Sequence, residues 1–185
     1  MTLRHHGARV CMTFFTALVV ICAEAGLAPA SEDLARALRQ RYRVSRIEAQ
    51  NAALTGVVAR QGTRFRLQTG GLSAKPFRVA QANTKSPRFH VHDYAGVEIV
   101  SGRAVTIEPG EFQLPMGTEL ALLALEVRPE AIHLFTHTTQ PLPGPSGRPV
   151  YGCTEFIFRF DEASLRSPNV SLVEQVIERW LSPLS

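Results

Sequence analysis

Residues 117–138, GTELALLALEVRPEAIHLFTHT, decide the fold class of this chain. The first half is rich in leucine, alanine and glutamate, which are good helix formers. However, Gly117 and Pro129 bound a run of only about ten residues, and IHLFTHT follows with the alternating β-branched and aromatic residues of a strand. Since proline suits the second position of a turn, we predict a hairpin whose first strand is buried on both faces.

Short strands bounded by turn residues recur along the chain. The clearest is YGCTEFIFRF at 151–160, where three phenylalanines share one face, and Glu155 and Arg159 lie on the other with Ile157 between them. Further strands are predicted at 56–60 and 64–68, which form a hairpin around residues 61–63, at 89–102 and at 104–107. This pattern predicts a mainly β fold, either a small barrel or a strongly bent antiparallel sheet.

Two proline-containing segments interrupt the strands. Residues 72–87 are predicted to be a surface loop with at most one short strand. PLPGPSGRP, at 141–149, is predicted to be an exposed connection of a long hairpin. A proline-rich ligand for a partner protein is the alternative for this second segment.

Two amphipathic segments predict helices that pack on the sheet. In SEDLARALRQRY, at 31–42, apolar residues recur every four positions behind Ser31 as the N-cap. In VSLVEQVIERWL, at 170–181, Ser171 and Glu174 fit a capping box. The apolar stripe of this second helix consists of Leu172, Val173, Val176, Ile177, Trp180 and Leu181. A stripe of this width is expected to be buried against the sheet.

Residues 1–30 have the pattern of a secretory signal peptide. Arg4 and Arg9 precede an apolar run at 10–23, and small residues end at Ala30. The run is shorter than the roughly 20 residues that span a bilayer, so we predict cleavage after Ala30 and no transmembrane span thereafter. A retained anchor is the alternative. Residues 31–185 are then expected to form a single mainly β domain in the periplasm or outside the cell.

The charge of the mature chain is mild. Removal of residues 1–30 takes two arginines and one glutamate and lowers the formal net charge from +4 to +3. Eight arginines lie between residues 36 and 66, and such a block could face an anionic component of the cell envelope, although scattered solvated arginines are the alternative. Nucleic acid is not an expected partner, because aromatic residues are not interleaved with the basic ones.

Cys153 is the single cysteine outside residues 1–30. It cannot form a disulfide within the mature chain, so it is either buried or paired between two chains. Burial is the expected state, since unpaired cysteine is among the most buried residue types.

The order of segments in this chain resembles a loose group of exported bacterial proteins. The shared order is a signal peptide, an LxxxY helix, a G-V-V segment, GTELALLALEV with IHLF, EFIFRF and a terminal amphipathic helix, over residues 32–69 and 112–182. The resemblance implies a small SH3-like barrel with flanking helices, and it implies no catalytic residues. The histidine-bearing middle and the proline loop of this chain depart from the group.

Four histidines suggest a metal site. His90 and His92 in RFHVHDY share one face of a predicted strand about 7 Å apart at Cα, which suits two imidazoles on one zinc ion. His133 and His137 share a face of the next hairpin, and one of them could complete the site. Asp93 or Glu98 could then act as general base for a zinc-bound water. Ordinary solvent-facing histidines are the alternative.

No other catalytic pattern is present in the sequence. It contains no G-x-S-x-G motif and no glycine-rich phosphate loop, and no base is evident beside Cys153. The sequence therefore predicts an exported, non-catalytic binding or envelope-associated module without a cofactor, whose partner is an unidentified protein or an anionic envelope component. A zinc-dependent hydrolase that uses the histidines is the alternative.

Overall fold

A computed structural model describes residues 29–50, 55–60, 62–77, 93–166 and 168–184. The helices are α1 (Pro29–Arg41), α2 (Glu162–Arg166) and α3 (Val170–Glu178). The strands are β1 (Arg46–Gln50), β2 (Thr55–Arg60), β3 (Arg64–Leu67), β4 (Leu72–Pro76), β5 (Ala95–Val100), β6 (Arg103–Glu108), β7 (Phe112–Leu114), β8 (Glu119–Arg128), β9 (Ala131–Thr138), β10 (Leu142–Pro143), β11 (Pro149–Val150), β12 (Gly152–Arg159) and β13 (Leu181–Leu184). The mainly β class is therefore confirmed.

Nine strands of the described residues form one sheet, which curls into a half-barrel. The order across the sheet is β13, β3, β8, β9, β12, β4 and β7. On the side away from β9, the start of β12 pairs with β4, whereas its later residues pair in parallel with β5. Strand β6 pairs with β5 and is the outermost strand there. Two further pairs, β1–β2 and β10–β11, stand apart from this sheet.

The hairpin predicted at 117–138 is confirmed as β8 and β9. Leu120, Ala121 and Leu122 are all fully buried, and since neighbouring residues of a strand point to opposite faces, this part of β8 is covered on both sides. The register shifts between Leu122 and Ala124, and the strand then ends in exposed residues. Tertiary burial and the bounding turn residues thus override the helix propensity of this run.

The predicted strand at 151–160 is confirmed as β12, and it lies in the middle of the sheet. Phe156 and Phe158 are fully buried on the inner face, where the hydrophobic core lies. The outer face of the same region carries Cys153 and Glu155 from β12 and, opposite them on β9, His137 and Phe135.

A helix is present at each of the two predicted segments, but with other bounds. Helix α1 begins at Pro29, so Ser31 lies inside it and is not its N-cap, and α3 ends at Glu178, so that Leu181 belongs to β13. On α1, Leu34 and Leu38 are fully buried, and Val173 and Ile177 of α3 belong to the same core cluster. The N-cap predicted at Ser171 is wrong, because the helix already begins at Val170. Asn169 is the N-cap instead, and its side chain accepts a hydrogen bond from the backbone N–H of Leu172. Within the described residues, no helix has the length and hydrophobicity that a membrane crossing requires.

The pairing predicted for residues 56–60 and 64–68 is wrong, although both strands exist. Strand β2 pairs with β1, while β3 lies between β8 and β13. Residues 62–63 make their bonds elsewhere: the N–H of Gly62 donates to Ser45 Oγ at 2.9 Å, and that of Thr63 donates to the carbonyl of Arg43 at 2.7 Å. These bonds hold the connection against the segment that follows α1.

Of the two proline-containing segments, the second is described in full and the first only in part. The first contains one strand, β4, and the part of it at 78–87 lies outside the described residues. The second is an exposed connection closed by the short β10–β11 ladder, which confirms its prediction as a hairpin connection. The strand predicted to carry His90 and His92 lies outside the described residues, whereas β5 and β6 confirm those that follow it.

Candidate binding groove

A groove of about 670 Å³ lies between α3, the β5–β6 turn and the end of β12. Its volume falls within the range of roughly 300–1,000 Å³ that is typical of small-molecule sites. Ile99 and Val173 are buried members of the core and form its floor. The walls are apolar side chains that are partly or largely open to solvent, namely Val100, Phe160, Leu172, Val176 and Trp180.

A tight turn between β5 and β6 forms one rim of the groove. Ser101 and Gly102 connect the strands with φ angles of 50° and 74°, and positive φ at both central residues is what a type I′ turn requires. Such a turn matches the right-handed twist of the flanking strands. The rim is therefore formed by a tight two-residue connection.

Two helix caps form the polar part of the opposite rim. Asp161 accepts hydrogen bonds from the backbone N–H and the hydroxyl of Ser164, at 2.8 and 2.6 Å, and these bonds lower the pKa of the Asp161 carboxyl. At the start of α3, the side-chain oxygen of Asn169 accepts a hydrogen bond from the backbone N–H of Leu172. Both side chains thus cap helices, and the lowered pKa keeps the Asp161 carboxyl ionised at neutral pH, so it is the anionic group of this rim.

The two arginines of the groove differ in their environment. Arg159 Nε lies 2.5 Å from Glu98 Oε1, and this hydrogen bond raises the pKa of the guanidinium. A second carboxylate, that of Glu130, lies 3.7 Å from Arg159. Arg179, at the end of α3, is exposed and has no ion pair with the described residues. Arg179 is therefore the cation that an anionic group in the groove could reach.

The prediction that the whole apolar stripe of α3 is buried is wrong. Val173 and Ile177 enter the core together with Leu181, the first residue of β13, whereas Leu172 is 54% exposed beside the groove. The stripe is wider than one contact with the sheet requires, and its second row, Leu172, Val176 and Trp180, lines the groove. This excess width is the sequence signal from which the groove could have been predicted.

The structure describes two of the four predicted metal ligands. His90 and His92 lie outside the described residues. His133 and His137 both lie on the outer face of β9, but four residues of strand separate their Cα atoms by about 13 Å. The described residues contain no group of three or more histidines, cysteines and carboxylates that could hold a metal ion. The proposed bases are engaged as well, Asp93 with Lys75 and Glu98 with Arg159.

Both described histidines are oriented by an oxygen at Nδ1. His133 Nδ1 lies 2.6 Å from Glu155 Oε1, and His137 Nδ1 lies 2.6 Å from the carbonyl oxygen of Thr138. Since a carbonyl or a carboxylate only accepts, Nδ1 donates in both contacts and carries a proton. On His137 this leaves Nε2 as a buried acceptor that has no hydrogen-bond partner among the described residues.

Cys153 lies directly across the ladder from His137, and both side chains are fully buried. Burial raises the pKa of the Cys153 thiol to about 12 and lowers that of His137 to about 4. The pair is therefore a neutral thiol beside a neutral imidazole, and no thiolate forms at neutral pH. The predicted burial of Cys153 is confirmed. The position of His137 beside Cys153 was not predicted, because the register between two strands cannot be read from the sequence of either strand alone.

The arginine block is partly neutralised within the chain. Arg36 pairs with Asp33, Arg41 with Glu178, and Arg64 and Arg66 both approach Glu119, at distances of 2.9–3.6 Å. These pairs reduce the positive potential that the block presents to solvent.

No family model matches this chain, and no curated protein or solved structure is significantly similar to it.

Proposed function

We propose that this protein is a non-catalytic binding module that holds a small amphipathic molecule, with an apolar body and one anionic end, in the groove beside α3. The observation that carries the proposal is the second apolar row of α3, which lines a concave space of about 670 Å³. Apolar side chains that converge on a concavity gain free energy when a ligand displaces water from them, at about 25 cal/mol per Å².

The charge at the rim supports an anionic end for this ligand. Arg179 is exposed and free of ion pairs with the described residues, whereas Asp161 already accepts two hydrogen bonds from Ser164. A carboxylate or sulfonate near Arg179 would gain a charge-assisted hydrogen bond. A cationic end group would have to approach Asp161, whose oxygens already accept hydrogen bonds from Ser164.

Calorimetric titration with decanoate tests the proposal, with decyltrimethylammonium as a ligand of equal chain length and opposite charge. Decanoate is expected to bind in a saturable manner and more tightly than the cation. Leu172→Ser should weaken decanoate binding about tenfold, because it removes apolar contact worth about 1.4 kcal/mol. Val44→Ser is the matched control, since Val44 is 48% exposed and does not line the groove. Equal binding by the two variants would refute the proposal.

We further propose that the half-barrel is a small SH3-like barrel with α1 and α3 packed on it, and that the protein is exported after cleavage at Ala30. The curled sheet and the shared core of sheet and helices support the first proposal. The charged, apolar and small-residue regions of residues 1–30 support the second. The mass of the protein recovered from the cell envelope fraction tests cleavage, and a mass that retains residues 1–30 would contradict it.

A zinc-dependent hydrolase is a second candidate, favoured by the contact between His133 and Glu155. Histidine ligands of metals typically donate their other ring N–H to a carboxylate, as His133 does at 2.6 Å. The remaining ligands would be His90 and His92, so the site stays a prediction. Stoichiometric zinc in the purified protein, lost in His90→Ala/His92→Ala and in His133→Ala, would support it. Protein that is free of zinc after incubation with the metal would exclude it.

A further inference from the structure

The outermost strand of the sheet, β6, is exposed along most of its length. It pairs with β5 on one side, and no strand of the described residues pairs with its other side. Val105 and Ile107 are 51% and 52% exposed, although both are β-branched residues that usually pack against a neighbour. An exposed strand edge with apolar side chains is a template for pairing with another strand.

The hairpin geometry identifies which backbone groups of β6 point outward. The type I′ turn at Ser101 and Gly102 closes with a hydrogen-bonded pair between Val100 and Arg103. Because hydrogen-bonded and non-hydrogen-bonded pairs alternate in an antiparallel ladder, Ala104 and Thr106 direct their N–H and C=O away from β5. Neither residue has a further backbone hydrogen bond with the described part of the chain.

We propose that β6 pairs with β6 of a second copy of this chain in an antiparallel, two-fold symmetric ladder centred on Val105. In this register Ala104 lies opposite Thr106 of the second copy, so the four outward N–H groups and the four outward C=O groups form four hydrogen bonds. The two Val105 residues face each other as a non-hydrogen-bonded pair, in which side chains approach most closely.

The charges of β6 favour its own copy as the partner. Arg103 and Glu108 lie at opposite ends of the strand and are both exposed. Lys75 Nζ lies 2.5 Å from a carboxylate oxygen of Glu108 and 2.5 Å from one of Asp93, so this group of one ammonium and two carboxylates keeps one net negative charge at the Glu108 end. Antiparallel self-pairing places Arg103 of each copy beside Ile107 and Glu108 of the other, so that opposite charges meet at both ends of the ladder. A parallel arrangement would instead align like charges.

The irregularity of the strand does not interrupt this register. The register with β5 shifts between Gly96 and Val97, opposite the end of β6. The residues from Ala104 to Thr106, which carry the four bonds, lie before it. An interface of one short strand is smaller than that of a permanent dimer, so we expect a dissociation constant between about 1 µM and about 1 mM.

Sedimentation equilibrium of the purified protein, from roughly 10 µM to about 1 mM, tests the proposal. Thr106→Pro removes an outward N–H without touching the bonds to β5, and proline is tolerated at such edge positions. Thr106→Ala keeps the N–H and is the matched control. Val105→Lys places two like charges across the two-fold axis, and Val44→Lys introduces the same charge at a similarly exposed valine elsewhere.

We expect a monomer–dimer equilibrium whose dissociation constant rises at least about tenfold in Thr106→Pro and Val105→Lys, and by less than about twofold in the two controls. Circular dichroism verifies that each variant is folded. If Thr106→Pro does not fold, the comparison of Val105→Lys with Val44→Lys still tests the proposal. A monomer throughout the concentration range would overturn the proposal, and so would a dimer that Val105→Lys and Val44→Lys affect equally.

Discussion

The hydroxyl of Tyr42 lies 3.1 Å from Oε1 of Glu178 and joins the end of α1 to the end of α3. Tyr42 is buried and packs on Phe65 of β3, with ring centroids 5.4 Å apart. Burial, followed by the nearby Glu178 carboxylate, raises the pKa of the phenol, so the hydroxyl stays protonated and donates. This contact fixes the helix that forms one wall of the groove.

Replacement of Tyr42 by phenylalanine should lower the free energy of unfolding by about 1–2 kcal/mol, because it removes a partly buried hydrogen bond to a charged acceptor. Arg41 is the control. Its guanidinium lies 3.1 Å from the same carboxylate but is about half exposed, so Arg41→Ala should cost less than about 1 kcal/mol. Urea unfolding of the three proteins measures both values, and a larger loss in Arg41→Ala would show that the phenol contact is not the stabilising one.

Cys153 should be unreactive in the folded protein. Its thiol is fully buried and its pKa is raised to about 12, so both access and thiolate formation are suppressed. We expect iodoacetamide to label the protein within minutes in urea at pH 8 but only through unfolding in its absence. A labelling rate without urea that equals the rate in urea would contradict the predicted environment, as would a disulfide-linked dimer.

His137 should make the protein less stable in acid. Its pKa is about 4 in the folded state because of burial, against an ordinary value near 6.5. The unfolded chain therefore binds the proton more readily, and stability is complete above pH 6.5, falls as pH decreases toward 4, and levels off below that. The difference between these values corresponds to roughly 3 kcal/mol.

The substitution His137→Gln removes this titration while keeping a polar side chain. Above pH 6.5 the unfolding free energies of the unsubstituted protein and of His137→Gln should differ by a constant amount. Between pH 6.5 and 4 the unfolding free energy of the unsubstituted protein should decrease more than that of the variant. Parallel curves over the whole range would mean that His137 is protonated in the folded state without penalty.

Much of the fold could be predicted because its strongest patterns are local. The alternation in β12 and the four-residue spacing in α1 appear directly in the sequence, and the bounding Gly117 and Pro129 were enough to favour strands for β8 against helix propensity. The short elements β1, β7, α2 and β13 were missed. Each is too short for its periodicity to be distinctive, and their stability depends on partners that are distant in sequence.

The candidate site was less predictable than the fold. The groove depends on where α3 lies relative to the β5–β6 turn, which are about 70 residues apart in sequence, and no local pattern specifies such a contact. Likewise, the pairing of β3 with β8 and β13 rather than with β2 is accompanied by hydrogen bonds from residues 62–63 to the segment after α1, and no local pattern predicts these bonds. The apolar row Leu172, Val176 and Trp180 was visible, but the sequence offered no reason to separate it from the core row.

The fluorescence of Trp180 tests the central claim most directly, because Trp180 is the sole tryptophan of the chain and lines the groove. Titration with decanoate should shift its emission to shorter wavelength in a saturable manner, as the apolar chain displaces water from the ring. Leu172→Ser should require about tenfold more decanoate for the same shift. Emission that does not change on addition of decanoate, or that changes equally in Leu172→Ser, would contradict the assignment of this groove as the binding site.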